Sequence, residues 1–247
     1  MTHSWTARPI LYALLLAATL GACARTDATV AGQPSLDTAR VALANGSAGL
    51  ALTICNGLLA QRPNGANLLV CRGDALTAMG RNAEAITAYE AALRSDPKWA
   101  DAKIGLGRIA LATDPARAEA LFVDALTSNP RNAIALNNLG IARDLQGRHA
   151  DAQVSYGEAI AAAPDLRAPQ VNLALSLALT GRAEEAVRIM RPIGSRENAT
   201  PRERHDLAAV LTIDGHPDEA AALLRRDLDG PQVDQAISGF QALPTRQ

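Results

Sequence analysis

The sequence predicts an all-α fold, a solenoid of about six helix-turn-helix units closed by one further helix. Three observations carry that expectation. Six alanines, Ala51, Ala85, Ala118, Ala152, Ala186 and Ala220, recur at steps of 34, 33, 34, 34 and 34 residues. Glycines and prolines recur in phase with them, Gly46, Gly80, Gly147, Gly181 and Gly215 in one register and Pro63, Pro97, Pro130 and Pro164 in another. Hydrophobic residues make up 48% of the 247-residue chain while aromatics are only 3%, so burial has to come from Ala and Leu on closely approaching helices. A pair of short helices cannot bury its own apolar face. It stacks on copies of itself and leaves a concave surface, which points toward binding and away from catalysis.

The first 22 residues have the pattern of a secretory signal. Arg8 precedes the apolar run Ile10 to Leu20, which is about half the roughly 20 residues a membrane-spanning helix needs. Leu20-Gly21-Ala22-Cys23 resembles the bacterial lipobox, in which the signal is cut before a cysteine that then receives lipid. That resemblance implies lipid attachment at Cys23 and a bacterial envelope address. Ala24, in place of aspartate, implies the outer membrane, with the chain facing the periplasm. Each buried acyl methylene contributes about 0.8 kcal/mol, so several chains anchor firmly. Residues 23–34 are otherwise small and polar, a flexible tether of roughly 18 Å reach.

The array is expected over residues 35–228. Its first unit is degenerate, with Ala39, Gly46, Ala51, Cys55, Leu59 and Pro63 one period before their counterparts, and Ser35 is placed to cap its first helix. The second unit, from Ala66, shows the grammar plainly: Gly73, Gly80, Ala85, Tyr89, Ala92, Leu93 and Pro97 stand at unit positions 8, 15, 20, 24, 27, 28 and 32. Small residues at 8 and 20 let two helices approach, and bulk at 24 fills the space beside them. Glycine at 15 suits a left-handed residue ending the first helix, and proline at 32 is tolerated once the second has stopped. This pattern resembles the tetratricopeptide repeat.

The third unit, from Ala100, keeps Gly107, Ala118, Phe122 and Pro130 but is one residue short. The deletion falls near Thr113-Asp114-Pro115, between its helices. The fourth, from Ala133, has Gly140, Gly147, Ala152, Tyr156 and Pro164; the fifth, from Arg167, has Ala174, Gly181, Ala186 and Met190, with Pro192 expected to cut its second helix short. The sixth, from Pro201, has Ala208, Gly215, Ala220, Leu224 and Leu228. In the closing segment, residues 229–247, Val233, Ile237 and Phe240 predict an amphipathic capping helix whose stripe Leu243 would extend.

Cys55 and Cys71 lie eight residues either side of Pro63. Across a hairpin turning there, they would stand at similar heights, close enough for a disulfide in an oxidising compartment. The alternative is two small buried residues on helices whose axes, about 8 to 10 Å apart, hold the sulfurs out of range.

Nothing in the chain has the pattern of an enzyme. His3, His149, His205 and His216 are scattered, there is no zinc-ligand spacing, and no phosphate-loop, dinucleotide or serine-nucleophile motif occurs. No cofactor or metal is expected. With 24 Lys+Arg against 25 Asp+Glu, the net charge of -1 disfavours nucleic acid as a partner.

The tetratricopeptide resemblance implies that positions 2, 5, 9, 12 and 13 of each first helix line a peptide groove. Carried over by phase, these are Asn67, Val70 and Asp74, then Ile104 and Arg108, then Asn137, Ile141 and Asp144, and finally Val171, Leu175 and Leu179. The groove is expected to be polar at one end and apolar toward the fifth unit, suiting an extended or helical peptide. Ile104 and Ala168 stand where a carboxylate-clamping member would carry lysine, which disfavours a terminal carboxylate as ligand.

The stretch from Val171 to Ala186 and the closing helix also resemble lipoproteins that assist assembly of Flp-type (tight adherence) pili. That resemblance implies a protein partner in the periplasm, such as an outer-membrane secretin or another pilus assembly component. The alternative is an envelope adaptor that gathers cell-wall enzymes.

Overall fold

The structure is a computed structural model and describes residues 35–243. The signal, Cys23 and the tether lie outside the described residues. Within them the chain is all helical: α1 (Leu36–Ala44), α2 (Ala48–Gln61), α3 (Ala66–Ala78), α4 (Asn82–Ser95), α5 (Ala100–Ala110), α6 (Pro115–Ser128), α7 (Ala133–Leu145), α8 (His149–Ala162), α9 (Arg167–Leu179), α10 (Ala183–Gly194), α11 (Pro201–Ile213), α12 (Pro217–Leu224) and α13 (Gly230–Gln241). These are six consecutive hairpins and one closing helix. Each hairpin packs on the next, and the odd helices α1, α3, α5, α7, α9 and α11 also touch in succession. Among the described residues no two of the even helices α2 to α12 meet, so the odd row is the inner one.

Local chemistry sets the helix ends. Ser35 caps α1 by accepting from the Thr38 amide at 3.1 Å. Gly80 has φ +73°, and the amide of Arg81 beyond it returns to the Leu76 carbonyl, the six-to-one bond of a left-handed helix stop. Gly46, Gly147, Gly181 and Gly215 repeat that conformation. The third unit lacks the glycine. There α5 has 11 residues against 13 in α3, and Asp114 caps α6 directly by accepting from Arg117 N, so the deleted residue is absorbed in the turn. At the other turn, α2, α4, α6 and α8 each stop two residues before Pro63, Pro97, Pro130 and Pro164.

The packing rule of the array is a steric complement between unit positions 8 and 24. The six alanines at position 20 are all fully buried. Opposite the aromatic rings position 8 is glycine. A Cβ added at Gly73 would sit 2.5 Å from the Tyr89 ring, at Gly107 2.5 Å from Phe122, and at Gly140 2.4 Å from Tyr156. Tyr89 is held from the next unit as well, since a Cβ at Gly105 would fall 2.4 Å from it. Where position 24 is Cys55, Met190 or Leu224, position 8 is Ala39, Ala174 or Ala208, each fully buried. The methyl group returns where the ring is gone.

At the C-terminal end one expectation is met and one needs correction. α10 is cut short as expected, with 12 residues against 14 in α4 and α8, although Pro192 lies inside it and the helix runs on to Gly194. The proline is exposed in the last turn, where losing one amide costs a single helical bond and the Arg188 carbonyl it leaves is on the exposed side. Val233 is buried and Ile237 and Phe240 pack on the core of the last two units, but α13 stops at Gln241 and Leu243 stays 39% exposed. Asp229 caps α13 in a reciprocal box with Gln232, and Arg204 of α11 pairs with Asp227 just before it, which fixes the helix across the end of the array.

The Cys55 and Cys71 sulfurs are joined, with the Cα atoms 6.0 Å apart, linking α2 to α3. In the chain-entropy description, closing a loop of this length contributes about 3 kcal/mol.

The packing complement makes a quantitative prediction at a site without hydrogen bonds. Gly107→Ala should lower stability by about 1 to 3 kcal/mol through overpacking against Phe122. Phe122→Met should also destabilise, but the double variant should lose clearly less than the sum, because it recreates the Ala174 and Met190 pairing. Urea midpoints of the four proteins measure the coupling, and strict additivity would refute the complement.

A concave cleft as the candidate functional site

The inner row of helices encloses a cleft near the N-terminal end, with a volume of about 190 Å³. Residues at equivalent positions of successive helices form it. Asn67, Val70 and Asp74 come from α3, Ile104 and Arg108 from α5, so five of the groove residues expected from sequence are brought together. Leu36, Arg40 and Leu43 of α1 face them, and Asp101, Trp99, Asn132 and Ile134 complete the rim. Sequence reasoning named none of these seven, although its own rule reaches most of them. Leu36, Arg40 and Leu43 hold positions 5, 9 and 12 of the degenerate first unit, and Asp101 and Ile134 hold position 2 of theirs. Trp99 and Asn132 are the N-caps of α5 and α7 and lie outside that rule.

Val70 and Ile104 give the cleft an apolar floor, 7% and 6% exposed, while Arg40, Asp101 and Arg108 are exposed at its edge. Asp74 accepts from the Tyr89 hydroxyl at 2.8 Å, and the Arg108 guanidinium stands 3.9 Å away. Burial raises the Asp74 carboxyl above its ordinary range, and the Tyr89 hydroxyl bond and Arg108 offset part of that rise. The same burial, with Asp74 alongside, pushes the Tyr89 phenol well above its usual value, so it stays a donor at any physiological pH.

The fourth and fifth units use their expected groove residues differently. Asp144 accepts from Tyr156 at 2.9 Å and from Ser176 at 2.9 Å, and lies 2.8 Å from His149 Nδ1. Asn137, 9% exposed, accepts from Asn172 at 2.9 Å. Both polar groups bind the neighbouring unit. Ile141 is half-buried beside them. Val171 and Leu175 pack on the C-terminal core and Leu179 is half-buried, so these three form an apolar stretch apart from the cleft. His149 was the contact hardest to read from sequence, because it pairs across a turn rather than along a helix.

Among the described residues no group of three His, Cys, Asp or Glu side chains is placed to hold a metal ion. Nor is any described helix long and apolar enough to cross a membrane.

The tetratricopeptide repeat family matches residues 72–113 and 112–167. A relative from Sinorhizobium fredii (strain NBRC 101917 / NGR234), the uncharacterized protein y4yS, is 31% identical over 181 residues, which cover 71% of this chain and 86% of that one. The chain belongs to the family of y4yS and is built of tetratricopeptide repeats. Among solved structures, PilW, described as a widely conserved type IV pilus biogenesis factor, superposes with a TM-score of 0.71 at 20% identity, covering 82% of this chain and 96% of that one. Pseudomonas aeruginosa pilF gives a TM-score of 0.67 at 15% identity over 84% of this chain and 95% of that one. At these identities the likeness is one of fold. A tetratricopeptide scaffold of this kind recognises proteins, and the cleft offers such a partner an apolar floor with Asn67 and Asp101 uncommitted at its edge.

The Tyr89 bond to Asp74 gives a pH-dependent prediction. A carboxyl whose folded value lies above its ordinary 3.8 makes the fold most stable where it is protonated, and that contribution is lost as pH rises through the folded value. Tyr89→Phe removes a donor to the ionised form, so the Asp74 carboxyl should titrate higher still and the fall in stability from acid to neutral pH should grow. Carboxyl NMR titration of both proteins, with urea midpoints at two pH values, tests this; an unchanged or lowered Asp74 titration would contradict it.

Proposed function

We propose that this chain is an outer-membrane lipoprotein, held by lipid on Cys23, whose repeat array binds a protein partner in the periplasm and aids assembly of a Flp-type pilus or its secretin. The observation that carries the reading is the cleft between α1, α3, α5 and α7, which combines an apolar floor with charged and amide groups at its edge. Such a site takes an extended or helical segment: its side chain fills the apolar floor, and Asn67, Arg108 and Asp101 meet its polar flanks. Catalysis has no part in this. Lipid sets the location and the cleft selects the partner.

Two further observations support the pilus assignment. Leu20-Gly21-Ala22-Cys23 gives the chain a lipoprotein start. The fold likeness to PilW extends over nearly the whole of that pilus biogenesis factor.

Cys23→Ala should abolish incorporation of labelled acyl chains and release the protein from the membrane fraction. Loss of the gene should deplete secretin multimers from outer-membrane fractions, and Arg108→Glu at the exposed edge of the cleft should reproduce that loss while the protein remains folded and membrane-bound. Normal multimers and normal surface pili in the deletion strain would overturn the pilus assignment.

A further inference from the structure

The first unit differs from the other five in what fills it. Its own cluster is built from Ala39, Ala42, Ala51 and Ile54, with Leu59 turned into the second unit's core, and Cys55 stands where the others carry a ring, a methionine or a leucine. The bulk at its centre is the Cys55 to Cys71 bond, which also ties it to the second unit. An end unit of a stacked array has a neighbour on one side only, so apart from this bond α1 and α2 are held by their packing on the second unit alone, through Leu36, Leu52, Leu58 and Leu59. The same unit is half of the cleft. Leu36, Arg40 and Leu43 of α1 form one wall, and Cys71 itself lies in the lining opposite.

We infer that the partner cleft is completed by oxidation: the α1 wall is held in place by the Cys55–Cys71 disulfide, and a dithiol reductant that opens this bond releases α1 and α2 and dismantles the docking surface. This deepens the proposed function and rests on the cleft being the partner site. In the reductive step one thiolate of the dithiol attacks a cysteine sulfur, the Sγ–Sγ bond breaks, and the second thiolate resolves the mixed disulfide. Cys55 and Cys71 gain two electrons and two protons as thiols, and the reductant leaves as a disulfide. Formation runs the other way, with a disulfide-bearing oxidant taking the two electrons. A reducing compartment therefore holds the chain with an incomplete cleft, and an oxidising one completes it. The chain engages its partner only after it has reached an oxidising compartment.

The device can be tested without any partner. The full chain carrying Trp5→Phe leaves Trp99, which lines the cleft, as its only tryptophan. Hydrogen exchange followed by mass spectrometry would compare the oxidised protein with the same sample in dithiothreitol, with thiol titration confirming three free cysteines after reduction against Cys23 alone before it. Residues 36–61 should exchange at least about tenfold faster after reduction while α7 to α12 keep their protection. Trp99 should also become more accessible to acrylamide. The double variant Cys55→Ala, Cys71→Ala should match the reduced protein without reductant. Unchanged protection of residues 36–61 in fully reduced protein would overturn the inference, and so would equal loss along every helix, because the bond would then be a general staple. Neither result bears on whether the cleft binds a partner, which the Arg108→Glu experiment decides separately.

Discussion

One steric constraint organises this molecule: at each unit the inner helix must come close enough to the outer one that a single side chain fills the gap between them. Gly73, Gly107 and Gly140 allow a ring there, and Ala39, Ala174 and Ala208 accompany a smaller group. Because the residue at position 8 changes with the one at position 24, helix pairs of different sequence still close over a fully buried alanine at position 20. The inner row then has one side chain per turn left to face inward, and that leftover row is the cleft. Packing on one face of α3 and α5 thus determines which residues are available on the other.

The polar groups of the inner row divide between two tasks. In the second and third units they border an open cleft, with Asp74 held by Tyr89 and Arg108 exposed beside it. In the fourth and fifth, Asp144 and Asn137 are spent on Tyr156, Ser176 and Asn172, which locks adjacent units together. A buried acceptor needs its donors, so a residue committed to such a network gives up its availability to a ligand. Equivalent positions in one repeat series therefore border an open cleft at one end and serve cohesion at the other.

Much of this was legible in the sequence because repeats announce their own phase. The alanine ladder fixed the hairpins, the glycine register gave the left-handed stops, and the 33-residue step located the shortened turn. Phase also set Cys55 beside Cys71. Pro192 marked the shortened α10, but not its last residue, because in an exposed last turn the cost of a proline is small and the helix carries two residues past it. The fate of Asp144 could not be read either, since its donors come from His149 across a turn and from Ser176 one unit away. The first unit's share in the cleft was readable but hidden: its degenerate sequence drew attention to what it lacked, while Leu36, Arg40 and Leu43 kept the register of the lining.

The central claim is that recognition takes place on the inner row at the N-terminal end of the array. Site-specific photocrosslinking in living cells tests it most directly, with the photoreactive residue placed in turn at Arg108, exposed in the cleft, and at Val123, exposed on α6. A partner docked in the cleft should give one discrete adduct from position 108 and none from position 123, and the adduct should contain an envelope protein of the pilus machinery. Adducts from position 123 with none from position 108 would show that the outer face binds, and would contradict the claim.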